Sequence, residues 1–435
     1  MAEPALQVSG RVSKRGLVPR LPASDRLLAE IETWFQSEYA NAVRSIRVRS
    51  LSATDGELVV ALHPAATDLT IRAVEGGGVT ASAALGPAGP GYQTFVAQTL
   101  QRLGSEFGIA WDPDGTDPYA GRPGLEAAAE RANAESAYLG WLGARLIGAR
   151  DARRLGVGGI HIGTPPGVAF TSDGAILTSL GPRDDDWLDR AIGDSRLAID
   201  VTPWWADATD ARYLLSRAIC LMWTEVRWRA PIEGEREIHD EVLKLLSRAF
   251  PLDPSLPYPW REWHELAGLR GTMGGMTRQV ETRAARAPDG PPIGYRRQPV
   301  RIVHEGWELE IPGAFAERRS DEEWWGGEAG RSITIAATEI GSDSGPMVPD
   351  EFLRQVANDL GPEALSHRSG DLVGRARLST DDSSGVEVGV LEGYSAIRGR
   401  GAAIRVVFDD SADWRWALDI WRALAPSRTG SLTTA

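Results

Sequence analysis

The chain has 435 residues and a formal net charge of -13. This length accommodates about three domains with hydrophobic cores of their own. The acidic balance argues against nucleic acid and acidic membrane surfaces as partners, because both bind basic protein faces. Only Lys14 and Lys244 are lysines, so 45 of the 47 basic residues are arginine, which is typical of a GC-rich bacterial genome.

Cysteine content and hydropathy indicate the compartment. The single cysteine, Cys220, lies in the apolar run Leu214–Trp223 and is predicted to be a buried thiol. A lone cysteine forms no disulfide within its own chain. The sequence has no apolar stretch with the length of a signal peptide or of a membrane helix. We therefore expect a cytoplasmic protein without membrane insertion.

The first predicted unit is a flexible arm over residues 1–23, where Pro, Gly, Ser and basic residues follow no period. A module with the order α-β-β-β-β-α follows over residues 24–112. Its first helix carries apolar residues on one face, and its second helix begins near Gly91. The four strands are predicted at Ser45–Leu51, Glu57–Leu62, Asp68–Val74 and Val79–Ala83.

Prolines and glycines at residues 112–122 predict a boundary, after which residues 123–270 form a mixed, mainly helical middle domain. Short strands are expected at Gly159–Ile162, Val168–Phe170, Ile176–Leu177 and Leu197–Ile199. Helices are expected at Leu125–Ile147, Ala208–Arg229, Glu235–Phe250 and Trp260–Leu269. Residues 271–298 are rich in helix-breaking residues and are predicted to form a linker.

The last domain, residues 299–425, opens with a predicted hairpin about the turn His304-Glu305-Gly306, and residues 426–435 are predicted to be a tail. The hairpin strands are Val300–Val303 and Trp307–Ile311. Further strands are expected at Ser332–Ala337, Gly374–Leu378, Val386–Leu391, Ser395–Arg398 and Ala402–Phe408. Helices are expected at Asp350–Leu360 and from Trp414 to Leu424.

This order of elements, with Trp307–Ile311 leading into Pro312-Gly313, resembles the Mog1/PsbP-like α+β fold. Bacterial cousins of that fold include the DUF1795-type secretion chaperones. The resemblance covers about residues 298–425, rests on topology and a few aromatic positions, and includes no catalytic motif. It implies a domain that binds other proteins.

Residues with catalytic or metal-binding chemistry do not cluster in the sequence. His264-Glu265 and His304-Glu305 begin like a zinc-protease motif, but neither has a second histidine at the required position. Asp184-Asp185-Asp186 could gather a hard cation, but a cap for the following helix is the favoured interpretation. The sequence has no nucleophile elbow. We predict no cofactor and no metal site.

Sixteen tryptophans supply large apolar side chains, and several occur in pairs. Trp414 and Trp421 fall on the apolar stripe of the last helix and are predicted to be core residues. Trp324-Trp325 lie between acidic residues and glycines, so we expect at least one exposed ring that binds a partner. Trp204-Trp205, which follow Pro203, are the second candidate for partner binding.

These observations predict an α+β protein of several domains, in which two α+β modules with antiparallel sheets flank a largely helical middle region. The leading hypothesis is a non-catalytic component of a bacterial multiprotein system that binds other proteins as an adaptor, chaperone or structural subunit. One alternative is a hydrolase-type enzyme with a pocket between the middle helices and a flanking module. The other is a sensor of a small ligand.

Overall fold

The computed structural model describes residues 5–12, 24–112, 127–154, 160–164, 168–170, 176–271 and 277–427, apart from residues 53, 85, 207, 233, 321, 343, 344, 383, 384 and 386. Helices and several separate sheets make up this part of the chain. The predicted α+β multidomain fold is therefore confirmed. The positions of the domain boundaries stay predictions.

The first layer is a six-stranded antiparallel sheet. Its strands are β1 (Ala5–Val12), β2 (Ser45–Ser50), β3 (Gly56–Ala61), β4 (Leu69–Val74), β5 (Gly78–Ala84) and β6 (Ile109–Trp111). They lie in the order β2-β3-β4-β5-β1-β6. Two helices, α1 (Ser24–Glu38) and α2 (Pro90–Phe107), share one hydrophobic core with the sheet because each presents an apolar stripe to it.

The predicted arm over residues 1–23 is corrected in part, because Ala5–Val12 is a strand inside this sheet. It pairs with β5 on one side and with β6 on the other. Leu6, Val8 and Val12 are buried in the core, and their spacing of two or four residues places them on one face of a strand. Residues 13–23 lie outside the described residues.

The middle region contains six helices and four short strands among the described residues. The helices are α3 (Ala127–Arg154), α4 (Asp185–Gly193), α5 (Ala211–Thr224), α6 (Arg236–Leu252), α7 (Trp260–Arg270) and α8 (Thr277–Ala284). The strands are β7 (Ile160–Ile162), β8 (Val168–Phe170), β9 (Ile176–Thr178) and β10 (Gly181–Arg183), of which β10, β9 and β7 form a small sheet. The strand predicted at Leu197–Ile199 is instead part of a 3-10 helix, Ser195–Val201.

The helices of this region belong to two hydrophobic clusters. Buried residues of α5, α6, α7 and α8 belong to the same cluster as the first sheet, whereas α3 and α4 pack around a smaller cluster of their own. Helices α5 to α8 and the first module therefore share a continuous interior.

The stretch predicted as a linker, residues 271–298, is structured where the structure describes it. Helix α8 lies within it and buries Val280, and the guanidinium of Arg283 lies 4.7 Å from the ring centre of Trp260. Farther along, Gly294 adopts a φ of 126° directly beneath the indole of Trp228. The glycines and prolines here form turns in a packed segment, and residues between them, such as Val280 and Arg283, hold it against α6 and α7.

The last region is built around a large antiparallel sheet and the predicted hairpin. Its elements in chain order are β11 (Val300–His304), β12 (Trp307–Ile311), β13 (Ala316–Arg319), β14 (Glu323–Glu328), β15 (Arg331–Glu339), β16 (Gly341–Ser342), β17 (Gly345–Pro346), α9 (Pro349–Val356), β18 (Leu365–Ser369), β19 (Leu372–Asp381), β20 (Val388–Ile397), β21 (Arg400–Phe408), α10 (Trp414–Ala423) and β22 (Ala425–Pro426). The seven strands of the large sheet lie in the order β13-β14-β15-β21-β20-β19-β18.

The hairpin about Glu305-Gly306 is confirmed, and both residues adopt positive φ in the turn. It belongs to a second sheet with the order β22-β12-β11-β8, to which β8 comes from the middle region. Helix α10 contacts the hairpin and the large sheet together. Strands β13, β14 and β18 were not predicted, and the strands predicted at Val386–Leu391 and Ser395–Arg398 are the single strand β20.

Candidate functional site

The first tryptophan pair is divided between core and surface. Trp324 is 0 % exposed, its indole N–H donates to Glu317 at 3.3 Å, and its ring covers Gly326. Trp325 lies on the opposite face of β14, is half-buried, and has the guanidinium of Arg318 5.3 Å from its ring centre. A ring buried in its own core cannot anchor a partner, so the prediction for Trp324 is corrected. For Trp325 it stays a prediction.

The second pair shows the same division. The ring of Trp204 is fully buried among aromatic rings, with centres 4.4 Å from Tyr213 and 4.9 Å from Phe95. Trp205 is half-buried against Tyr138. The ring of Trp204 joins α2 to α5 inside the core, so the prediction that it binds a partner is corrected. For Trp205, partner binding stays a prediction. In the last helix, Trp421 is a core residue as predicted. Trp414 was also predicted to be a core residue, but it is 41 % exposed, so that prediction is wrong.

A buried ion network joins the first module to the middle helices. Arg217 of α5 is only 3 % exposed, donates to Glu241 of α6 through Nε at 3.0 Å, and donates to the carbonyl oxygen of Ala42 at 3.0 Å. Arg44 donates to Glu241 at 3.3 Å and pairs with Glu225 at 2.9 Å. Each guanidinium in this network faces a carboxylate, so the charges serve packing between elements distant in sequence.

A second ion network joins the middle helices to the last region. Arg229 pairs with Glu235 at 2.7 Å, and Arg296 pairs with Glu317 at 2.7 Å. Arg227 donates to the carbonyl oxygen of Phe315, and burial together with nearby Arg296 lowers its pKa to about 10. These residues hold the turn after α5 against the start of β13.

The histidines of the described residues do not assemble a metal-binding group. His63 is buried, and burial, with the nearby Arg217 and Arg44, holds its pKa well below its usual range. Among the described residues, no group of three or more His, Cys, Asp or Glu side chains could hold a metal ion. Asp184 accepts a hydrogen bond from the amide of Trp187 at 2.7 Å, so its predicted role as a helix cap is confirmed.

A cleft of about 720 Å³ lies on the outer face of the first sheet, which is turned away from α1 and α2. We call it the sheet cleft. Its floor consists of side chains that alternate with the core residues of β2, β3, β4 and β5. They are Arg47, Arg49, Glu57, Val59, Thr70, Arg72 and Ser82. Its wall is formed by residues 64–68, Pro87 and the end of β7.

The floor of the sheet cleft carries more positive than negative charge. Arg72 pairs with the buried carboxylate of Glu57 at 2.7 Å, and Arg47 pairs with Asp68 at 2.9 Å. Arg49 forms no ion pair with a described carboxylate. Three guanidinium groups therefore face two carboxylates in a chain whose net charge is -13. The alternating arginines of the predicted strand Ser45–Leu51 are the signal in the sequence that could have indicated this site.

One histidine lies in the wall of the cleft. Nδ1 of His161 is 3.1 Å from the hydroxyl of Thr164, and its ring stacks on Phe170. Burial lowers the pKa of His161 to about 4, although a hydrogen bond to the backbone of Phe170 opposes this shift. The imidazole is therefore neutral at neutral pH.

The strand that borders the cleft has an open edge. In the part of the chain that the structure describes, β2 pairs with β3 alone. All of its residues except Ile46 are exposed, and Val48 is exposed to 44 %. Unpaired backbone groups of such an edge are available to another strand.

Comparisons with known proteins name no family. The sequence matches no described protein family, and it matches no curated protein. A solved structure from Bacteroides thetaiotaomicron is similar at 11 % identity, over 29 % of this chain and 46 % of that chain, with a TM-score of 0.24. The match spans less than half of that chain and carries no argument about function. None of the described helices is both long and apolar enough to span a bilayer.

Proposed function

We propose that this protein is a non-catalytic, cytoplasmic interaction component of a bacterial multiprotein system, and that it binds an extended acidic segment of a partner protein. The open edge of β2 beside the positively charged sheet cleft is the observation that carries the proposal. The scarcity of lysine supports a bacterial origin. The resemblance of residues 298–425 to Mog1/PsbP-like domains supports a role in protein binding.

Strand addition suits this edge because it needs free backbone groups and pockets for alternate side chains. A segment paired with β2 would place every second side chain over the outer face of the sheet, beside Arg47 and Arg49. The other side chains would lie beside Val48, on the opposite face. The expected segment therefore alternates acidic and apolar residues.

The arginines also make the edge selective. Charged side chains on an edge strand oppose pairing with neutral or basic strands, including the same edge of a second copy. Arg49, which lacks a carboxylate partner among the described residues, would gain one from an acidic segment. Such charge-assisted contacts are stronger than neutral hydrogen bonds, and they weaken as salt is added.

Within the sheet cleft, a hydrolase could use Thr164 and His161, the hydroxyl and imidazole that meet in the cleft wall. A base whose pKa is about 4 is poorly matched to deprotonating a hydroxyl at neutral pH. This pair is therefore a weak candidate for catalysis, whereas the open edge of β2 beside the cleft favours binding.

The test uses a fluorescein-labelled peptide that alternates glutamate and valine and has the length of β2, measured by fluorescence polarisation at low salt. We expect it to bind, and a peptide with lysine in place of glutamate to bind at least about tenfold more weakly, because the charges then repel. Arg49→Glu and Val48→Glu should each weaken binding, since the first reverses a charge that faces the glutamates of the peptide and the second replaces the apolar neighbour of its valines with a carboxylate.

The matched control is Ile147→Glu. Ile147 is similarly exposed, but it lies in helix α3, whose backbone groups are hydrogen-bonded within the helix. Binding of the acidic peptide should be unchanged in this variant. Equal binding of the lysine peptide, or no effect of either edge substitution, would show that β2 is not the docking edge.

A further inference from the structure

A second site lies far along the chain, between α9 and the end of the large sheet. A pocket of about 400 Å³ is bounded by α9, β18 and β19, and we call it the α9 pocket. One arginine from each of these elements lines it: Arg354 from α9, Arg368 from β18 and Arg375 from β19. The site is separate from the sheet cleft and shares no residue with it.

Only one of these arginines is neutralised by the protein. Arg368 pairs with Asp350 at 2.9 Å. Arg354 hydrogen-bonds the backbone oxygen of Asp350 at 3.3 Å, and Arg375 reaches the carbonyl oxygen of Gly361 at the long distance of 3.4 Å. Neither forms an ion pair with a described carboxylate. Three guanidinium groups and one carboxylate leave an excess of two positive charges in the pocket.

The strand register explains why Arg375 lacks a partner. Arg377, two residues farther along β19, lies opposite Glu392 of β20 and pairs with it at 3.1 Å. Arg375 lies opposite Tyr394 in the same pair of strands, and opposite Ser366 on its other side. The same face of one strand thus carries one arginine with an internal counterion and one without.

The pocket supplies many hydrogen-bond donors and few acceptors. A guanidinium has five N–H donors and no acceptor, and the hydroxyl of Ser366 adds a further donor. Phosphate matches the planar fork of arginine and presents several acceptor oxygens. Buried Leu353 and Val373 also line the pocket and would contact an organic group attached to the phosphate.

We propose that the α9 pocket binds the phosphate monoester group of a small molecule. Its volume is at the lower end of the range of ~300–1,000 Å³ for ligand pockets, which fits a small phosphorylated compound. Arg354 and Arg375 contact the phosphate, and Leu353 packs against the organic part. This site does not depend on the function proposed for β2.

The probe is phenyl phosphate, titrated into the full chain by calorimetry. We expect one molecule bound per chain, with benzoate of the same ring size bound at least about tenfold more weakly because it offers fewer acceptor oxygens. Arg375→Gln and Arg354→Gln should each weaken phenyl phosphate binding at least about tenfold. Arg354 is exposed on α9, so its variant tests the site even if Arg375→Gln disturbs the sheet.

The control is Arg377→Gln, on the same strand but outside the pocket, which should bind phenyl phosphate like the unmodified chain. Absence of phenyl phosphate binding at millimolar concentration overturns the proposal, as does an equal loss of affinity in Arg377→Gln. Sedimentation with phosphatidylcholine vesicles that contain phosphatidic acid identifies the source of the phosphate. Binding to these vesicles without binding to phenyl phosphate would also overturn the proposal.

Discussion

Replacement of Trp324 by alanine tests whether this ring is core or surface. The side chain is fully buried, covers Gly326 and donates its indole N–H to Glu317. Removal of a buried tryptophan leaves a cavity and costs about 3–5 kcal/mol of unfolding free energy. It also removes one hydrogen-bond partner of Glu317, which pairs with Arg296.

The assay is thermal unfolding of Trp324→Ala followed by circular dichroism. For a cooperative unit of roughly 150–250 residues, about 4 kcal/mol corresponds to a fall in Tm of about 8–16 °C. Trp325→Ala is the matched control on the same strand, and its half-buried ring should lower Tm much less. Similar Tm values for the two variants would refute the assignment of Trp324 to the core.

Three further predictions follow from the buried charges and the packed segment at residues 277–298. Glu241→Gln leaves the buried Arg217 without its carboxylate, so the free energy of unfolding measured in urea should fall by about 3–5 kcal/mol. Asp240→Asn is the control, because Asp240 pairs with Arg270 at an exposed position, and it should change stability little. Burial lowers the folded-state pKa of His161 to about 4, below its ordinary value of 6.5. The stability that the neutral imidazole contributes is therefore fully present above pH 6.5 and is lost as the pH falls toward 4. In urea titrations at each pH, His161→Gln should lose less stability over this range than the unmodified chain. Trypsin should cut after the exposed Arg286 sooner than after Arg283, because the guanidinium of Arg283 lies over the rings of Phe250 and Trp260. Mass spectrometry of the fragments measures the order of cleavage, and earlier cleavage after Arg283 would show that α8 is detached.

Periodicity in the sequence was enough to predict most of the large elements. The helix predicted at Glu235–Phe250 is found at Arg236–Leu252, because its apolar stripe is regular. The hairpin about Gly306 was predicted because two alternating strands flank a short turn. Both signals are local, so a single sequence contains them.

Elements whose partners are distant in sequence could not be predicted in this way. Ala5–Val12 has only a short alternation of apolar residues within a stretch rich in Pro, Gly and basic residues, and it forms a strand between β5 and β6, which pair with it on either side. Likewise, acidic neighbours made the Trp324 segment look exposed, although its glycines allow the ring to lie flat over the strand. Tertiary pairing outweighed local composition in both cases.

The proposed sites follow from how the chain uses arginine. Arg217 and Arg296 are buried, and each faces a carboxylate from a distant element, so their charges are accounted for by packing. Lack of a counterion alone would not single out a residue, because an exposed arginine is solvated at little cost. Arg49 and Arg375 differ since each lacks a described carboxylate and lines a cavity beside paired arginines. A ligand that brings negative charge would supply these arginines with the counterion that Arg217 and Arg296 have within the chain, so binding at both sites should weaken as ionic strength rises.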